Sequence, residues 1–120
     1  MLNLNSIMLG TSQIKEMAEF YEKVFSRKAD MVEGEWHGWS VGSAFLSIGA
    51  HSEVTGEAKD PQRMIFNFET KEVKEEFVRI KEIAGARVIK EPYEMGGGMI
   101  ATFADPDGNY FQLMTPWDSN

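Results

Sequence analysis

Apolar residues recur along this chain at two spacings, and each spacing predicts a different kind of element. From Leu4 to Gly10 they alternate loosely with polar residues, which is typical of a half-buried strand. Residues 13–25 instead follow helical spacing, with apolar positions at Ile14, Met17, Tyr21 and Val24. Residues 26–50 hold short apolar runs interrupted by glycines. This texture indicates two or three short antiparallel strands after the first helix.

The second half of the chain shows the same order of patterns. Residues 63–69 predict a strand, and Thr70 stands where it would cap a second helix. That helix has apolar positions at Val73, Phe77, Ile80 and Ile83. Gly85 just beyond it is typical of a helix C-terminus. Residues 86–93 then predict a strand, and residues 96–114 predict a hairpin.

The two halves also correspond position by position. A shift of 59 residues brings Ile7 onto Phe66, and it brings the Ile-Lys-Glu run at 14–16 onto the Val-Lys-Glu run at 73–75. We therefore expect one domain over residues 1–120, made of two paired β-α-β-β-β modules. Their predicted bounds are 1–51 and 63–120, joined by a polar linker at 52–62. The alternative is a chance similarity between two amphipathic helices.

Composition and charge restrict the chemistry. The chain has no cysteine, so disulfides, thiolate nucleophiles and thiolate metal ligands are excluded. Its formal net charge of -7 makes nucleic acid an unfavourable partner, because the phosphate backbone is repelled. No apolar run approaches the roughly 20 residues that span a bilayer, and the N-terminus lacks a signal-peptide pattern. We expect a cytoplasmic protein with no membrane association.

The segment Phe103–Leu113, FADPDGNYFQL, predicts two strand fragments joined by a turn. Pro106 fixes φ, Asp107 is expected to accept local backbone hydrogen bonds, and Gly108 supplies a positive φ. Together with the EFYEKVF helix and the tandem pattern, this hairpin resembles the vicinal-oxygen-chelate superfamily of glyoxalases, bleomycin-resistance proteins and extradiol dioxygenases. The resemblance covers nearly the whole chain. It implies an α+β fold in which tandem βαβββ modules form a curved mixed-sheet cleft, usually in a homodimer.

The metal enzymes of that superfamily hold a divalent ion with four side chains, one on each of four strands. In the first module the resemblance places these positions at Ser6 and near Ser47. In the second it places them at Ile65 and Gln112, or at Arg63 instead of Ile65 if the register slips by two residues. No position carries the imidazole or carboxylate that such ions prefer. We therefore expect no metal and no cofactor, and neither glyoxalase nor dioxygenase activity.

Strand alternation identifies the side chains that share the inward face with these four positions. The face combines apolar, aromatic, hydroxyl and amide groups, which is the usual composition of a small-molecule pocket. The predicted ligand-binding residues are Ser6, Met8, Trp39, Phe45, Ser47, Ile65, Asn67, Tyr110, Gln112 and Met114. Trp36 is the alternative to Trp39 at the mouth, and Trp117 is expected on the cleft or at a dimer interface. Equally, these side chains would suit a closed core without a ligand.

Three functions are compatible with these residues. The first is a metal-independent small-molecule binding protein of the glyoxalase/bleomycin-resistance type, which sequesters a drug or a metabolite. The second is a metal-free lyase-like or isomerase-like enzyme that uses His37, with Glu35, Glu94 and Tyr110 as further candidates. Glycines 96–98 would then form its lid. The third is a ligand-free interaction subunit that uses the charged second helix.

Overall fold

The computed structural model describes residues 1–116, and Trp117 lies outside the described residues. Contacts within the chain divide it into two units, Met1–Gly56 and the part from Glu57 onward. The division falls inside the polar stretch at 52–62. Among the described residues, no helix is both long and apolar enough to cross a membrane.

Unit one is a four-stranded mixed sheet with one helix packed on it. Its elements are β1 (Ser6–Thr11), α1 (Ile14–Phe25), β2 (Met31–Glu33), β3 (Trp36–Val41) and β4 (Ala44–Ala50). The strand order is β1-β4-β3-β2, in which β1 runs parallel to β4 and the other pairs are antiparallel. The parallel pair requires a crossover connection, and α1 lies within that connection.

The helix α1 packs on the sheet through the apolar stripe that its sequence predicts. Its buried residues are Met17, Ala18, Phe20, Tyr21 and Val24. The helix ends at Ser26, whose left-handed conformation (φ 58°) allows two backbone N–H groups to bond to the last carbonyls. Beneath it, Trp39 is 1% exposed, and its Nε1 donates a hydrogen bond to the Arg27 carbonyl at 3.0 Å.

Unit two repeats this arrangement. Its elements are a short 3-10 turn (Pro61–Arg63), β5 (Ile65–Glu69), α2 (Val73–Lys81), β6 (Arg87–Met95), β7 (Gly98–Ala104) and β8 (Tyr110–Met114). The strand order is β5-β8-β7-β6, with β5 parallel to β8. The helix ends two residues before the predicted Ile83, and Gly85 takes the positive φ of 96° that its position predicts.

Equivalent strands pair in the same way within the two sheets. Ile7 pairs with Leu46 across β1 and β4, and Phe66 pairs with Phe111 across β5 and β8. Each helix begins 59 residues from its counterpart, at Ile14 and Val73. The predicted α+β fold of two βαβββ modules is thereby confirmed.

The turn between β7 and β8 has the shape that the sequence predicts. Gly108 has φ 84°, and its N–H bonds to the Asp105 carbonyl at 2.8 Å. The Asp105 side chain, which was not predicted to take part, accepts backbone bonds from Asp107 N at 2.9 Å and from Asn109 N at 3.0 Å. Asp105 precedes the turn, so its carboxylate reaches the N–H groups that follow, as in an Asx turn.

Candidate functional site

Each sheet has one face packed against its helix and a second face, here called the far face, turned away from it. Ring contacts identify the packed face. Phe25 of α1 lies 5.6 Å from Trp39, and Phe77 of α2 lies 5.2 Å from Phe103, between ring centroids. Because successive side chains on a strand alternate, the pairing register then assigns the remaining residues to a face.

The far face of sheet one combines aromatic, thioether, hydroxyl and glycine positions. It consists of Ser6, Met8, Gly10, Met31, Glu33, Trp36, Gly38, Ser40, Phe45, Ser47 and Gly49. Its only charged member is Glu33, which lies opposite Trp36 across β2 and β3. The large side chains of the face are therefore apolar or aromatic apart from Glu33, and its other members are serines and glycines.

Two glycines let the large side chains of this face lie down against the sheet. A Cβ atom on Gly38 would come within 2.7 Å of Phe45 Cε2, so the Phe45 ring occupies the space above that glycine. A Cβ atom on Gly49 would lie 3.0 Å from Met8 Cε and 3.4 Å from Trp36 Cδ1. Met8 and Trp36 thus meet above the second glycine, with 49% and 41% of their surfaces exposed.

The far face of sheet two carries a polar row in the corresponding place. The register aligns Asn67 of β5, Gln112 of β8, Thr102 of β7 and Lys90 of β6 across all four strands. Gln112 Nε2 donates a hydrogen bond to Thr102 Oγ1 at 3.1 Å, which fixes the orientation of the amide. We call these four residues the polar row.

The residues at the superfamily's four metal positions do not fit a divalent ion. The structure places Ser6 and Ser47 on the far face of sheet one, and Ile65 and Gln112 on that of sheet two. These positions offer two hydroxyls, an alkyl group and an amide already bonded to Thr102. Among residues 1–116, no three His, Asp or Glu side chains are grouped so as to hold a metal. Arg63 lies in the 3-10 turn before β5 and is exposed.

Nine of the ten predicted binding residues lie on a far face, and Trp39 is the correction. Trp39 packs under α1, whereas Trp36 lies on the far face. The two tryptophans are three residues apart on one strand, so they must point to opposite sides. The prediction for His37 changes for the same reason. It pairs with Ile48 and lies on the helix side of the sheet.

The other predicted acid–base groups are dispersed. Glu35 lies in the exposed turn between β2 and β3, where its carbonyl accepts a bond from Ala50 N at 3.2 Å. Glu94 pairs with Met99, so the register assigns it to the packed face and not to the far face. Tyr110 alone of these candidates lies on a far face, where it pairs with Ile65. No acid–base pair is assembled from the predicted residues.

A cavity of about 680 Å³ lies at the tip of the β6–β7 hairpin. It is lined by residues 95–100 of the hairpin and by Met114, Thr115 and Pro116. Thr115 holds the tip in place, because its N–H bonds to the Met99 carbonyl at 3.1 Å and its Oγ1 accepts from Met99 N at 3.0 Å. The glycines predicted to form a lid therefore form part of this cavity wall.

Sequence reasoning missed several residues of these faces. Gly38, Gly49, Thr102 and Lys90 each contribute to a far face, and none was among the predicted binding residues. The alternation of β7 contained the signal for Thr102, since it lies two residues from Ile100 on the same side. The glycines could have been found only from the register between β3 and β4.

Comparisons with known proteins agree with this fold. The sequence model of the Glyoxalase/Bleomycin resistance protein/Dioxygenase superfamily matches residues 3–113. A solved glyoxalase/bleomycin resistance protein/dioxygenase family enzyme from Burkholderia phytofirmans PsJN is 26% identical, with 95% of this chain and 98% of that chain covered and a TM-score of 0.74. A glyoxalase-related enzyme from Fulvimarina pelagi is 19% identical, with 97% and 89% covered and a TM-score of 0.76.

A likeness to part of a longer chain is also found. A glyoxalase I mutant from Zea mays is 20% identical, with 93% of this chain but 46% of that chain covered and a TM-score of 0.74. The search of curated proteins found no significant match. The structural likenesses show a shared fold.

Proposed function

We propose that this chain, which belongs to the Glyoxalase/Bleomycin resistance protein/Dioxygenase superfamily, is a small-molecule binding protein that needs no metal ion. One observation carries the proposal. On the far face of sheet one, Phe45 lies over Gly38, and Met8 and Trp36 meet over Gly49. A stable core has no need to leave an indole and a thioether partly exposed side by side, whereas exposed apolar groups gathered in one place are typical of an interaction surface. We call Phe45, Met8 and Trp36 the platform of sheet one.

The chemistry of this platform favours a planar, aromatic and cationic ligand. Trp36 offers an indole face for stacking and for cation–π attraction. Glu33 is the cross-strand partner of Trp36 on the same face, so a negative charge is available within reach of a ligand stacked on the indole. The net charge of -7 would also attract a cation over a longer range. Sequestration of a bleomycin-type drug or a similar metabolite fits these features.

Metal independence is supported by the donor set at the four superfamily positions. Serine hydroxyls, an isoleucine and an amide are weak or absent ligands for divalent cations. The two histidines do not compensate. His37 lies on the helix side of sheet one, and the Nδ1 of His51 accepts a hydrogen bond from Glu53 N at 3.1 Å. An enzyme that depends on His37 is disfavoured by the same placement.

Binding can be measured by tryptophan emission, because Trp36 is exposed and Trp39 is buried. We expect metal-free bleomycin to quench the emission of protein treated with EDTA, and Trp36→Phe to remove most of that quenching. Trp39→Phe is the matched control and should keep it, with circular dichroism confirming the fold. An unchanged emission at millimolar drug would contradict the proposal. One tightly held divalent ion per natively purified chain would contradict metal independence.

We further propose that the protein acts as a cytoplasmic homodimer. The absence of cysteine suits a reducing compartment, and acidity suits solubility. Light scattering after size exclusion tests the dimer. A mass of 13.6 kDa at all concentrations would contradict it, and about twice that mass would support it.

A further inference from the structure

The cavity at the β6–β7 hairpin tip is more apolar than polar and has no charged side chain in its wall. Its volume of about 680 Å³ lies within the range of roughly 300–1,000 Å³ that is usual for small-molecule pockets. Three methionines, Met95, Met99 and Met114, contribute to the lining. Methionine side chains are flexible and polarizable, so they adapt to ligands of variable shape. The wall suits a hydrocarbon group.

The polar row begins next to this cavity on the same face. Ile100 in the cavity wall and Thr102 in the row are two residues apart on β7, which is about 7 Å along a strand. The Thr102 hydroxyl accepts its bond from Gln112 and, as a hydroxyl, can donate one as well. A ligand that fills the cavity and extends along this face would meet this hydroxyl, which is 6% exposed.

Charges of both signs border this face. Glu69 of β5 pairs with Met114 of the cavity wall, and Arg87, at the end of β6 away from the hairpin tip, pairs with Glu57 at 3.9 Å. Lys90 is the cationic member of the polar row. Register shifts occur on both sides of Lys90, between Val88 and Lys90 and between Lys90 and Tyr93. Such bulges redirect side chains and are frequent beside binding sites. The Lys90 ammonium lies 5.5 Å from the Tyr93 ring centroid, on the cavity side of the row.

We infer that unit two binds an amphipathic carboxylate, with its hydrocarbon chain in the hairpin cavity and its carboxylate at Thr102 and Lys90. The inference rests on the proposed small-molecule binding function and deepens it by naming a second ligand class. The ligand inferred for sheet two is an anion, whereas the ligand proposed for the platform of sheet one is a cation. The carboxylate would accept from the Thr102 hydroxyl and pair with the Lys90 ammonium.

Methionine methyl NMR can test this placement, because the chain has eight methionines and three of them line the cavity. With octanoate as the probe, we expect the Met95, Met99 and Met114 methyl signals to shift. The signals of Met8 on sheet one and of the buried Met17 should stay unchanged. Met95→Gln, at a position that is 54% exposed, should weaken octanoate binding without affecting the fold.

The charge preference needs a separate comparison. Lys90→Gln should weaken octanoate by about twofold to fivefold and leave octanol unchanged, as expected for an exposed ion pair. Lys74→Gln on the exposed side of α2 is the matched control and should change neither affinity. Octylammonium should bind more weakly than octanoate to the wild-type protein.

Three outcomes would overturn the inference: no shifted methionine methyl at millimolar octanoate, equal binding of octylammonium, or a shift of Met8 as large as that of Met114. If any of these occurred while bleomycin still quenched Trp36, the platform of sheet one would stand and only this inference would fail. If octanoate bound as expected while bleomycin left Trp36 unchanged, the ligand assigned to sheet one would fail instead.

Discussion

The central rows of the two sheets occupy the same place in the fold but have opposite chemistry. In unit one the row is Met8, Ser47, Gly38 and Met31; in unit two it is Asn67, Gln112, Thr102 and Lys90. The first row leaves room above a glycine for the ring of Phe45, which comes from the neighbouring row. The second row fills that space with hydrogen-bonding groups.

The packed faces are more alike. Leu46 and Phe111 occupy equivalent positions under the helices, as do Trp39 and Phe103, and all four are buried. The repeat has therefore kept large apolar side chains where burial stabilises the fold and varied the side that the helix does not cover. The proposed ligand-binding residues accordingly lie on the far faces, which the helices do not cover.

The largest effect is expected where the two units are most alike, in the core. Phe103 is fully buried, with its ring 5.2 Å from Phe77 and 5.6 Å from Phe111. Phe103→Ala should lower the free energy of unfolding by about 3–5 kcal/mol, because it removes these contacts and leaves a cavity. Urea unfolding followed by circular dichroism measures the change.

Val78→Ala is the control for that experiment, since Val78 lies on the same unit's helix but is 55% exposed. Its effect should stay within about 0.5 kcal/mol. A Phe103→Ala variant as stable as the control would show that the packed face contributes little to stability. Burial would then not explain why the packed faces of the two units are alike.

The next largest effect concerns the hairpin turns, which differ between the units. The β3–β4 turn has only Gly42 and Ser43 between its strands, whereas the β7–β8 turn spans residues 105–109 around the buried Asp105 carboxylate. Asp105→Ala should cost about 2–4 kcal/mol, because it leaves the Asp107 and Asn109 N–H groups without this acceptor. Urea unfolding measures the loss.

Asp105→Asn is the conservative control, since its amide oxygen can still accept both backbone bonds, while the bond from Asn109 Nδ2 to Oδ2 is lost. It should recover part of the lost stability. Equal losses for alanine and asparagine would mean that the longer turn of unit two is not held by side-chain hydrogen bonds.

A third effect tests the difference between the far faces directly. Gly38→Ala places a Cβ atom against the Phe45 ring, so the ring must move or the backbone must shift. We expect a loss of about 1–3 kcal/mol in unfolding free energy, as for overpacked sites, together with weaker bleomycin binding. Gly49→Ala should cost less, because it meets the flexible end of Met8 at 3.0 Å. Equal or absent losses would contradict the platform geometry.

Side-chain alternation was sufficient to predict from the sequence which residues share a far face in most of the strands. Ser6, Met8, Phe45 and Ser47 share a face because strands repeat every two residues, and the same holds for Tyr110, Gln112 and Met114 in unit two. The choice between Trp36 and Trp39 lay beyond that reasoning. It depends on the register of β3 against β4, which the two-residue turn fixes and which hydrophobic pattern alone does not specify.

The functional detail of unit two was also beyond prediction. Lys90 lies between two register shifts on β6, so counting alternate residues along that strand fails on either side of it. The hydrogen bond from Gln112 to Thr102 joins two strands across a turn and has no signature in local sequence. The sequence predicted that Gln112 is not a metal ligand, whereas its hydrogen-bond partner Thr102 could be found only in the folded sheet.

The smallest expected effect is on the pH dependence of stability, to which a carboxylate in unit one contributes. In unit one the segment between α1 and β2 is held by Asp30, which accepts from Ser40 N at 2.7 Å and pairs with Arg27. In unit two the corresponding segment is held by backbone bonds, such as Ala86 N to the Ile83 carbonyl at 3.0 Å. The Ser40 N–H and, after it, the Arg27 guanidinium lower the pKa of Asp30 below its ordinary value of 3.8.

A lowered pKa means that Asp30 stabilises the fold above pH 3.8 and loses this contribution as the pH falls through its folded pKa. Asp30→Asn should therefore melt slightly below the wild type at neutral pH, and the gap in Tm should narrow below pH 3.8, because the wild-type carboxylate becomes protonated. Since Asp30 and Arg27 are exposed, added salt should also narrow the gap. A gap in Tm that stayed constant through this acid range would assign the stabilisation to the hydrogen-bond geometry and not to charge. The segment between α1 and β2 would then be held without a contribution from charge, like the corresponding segment of unit two.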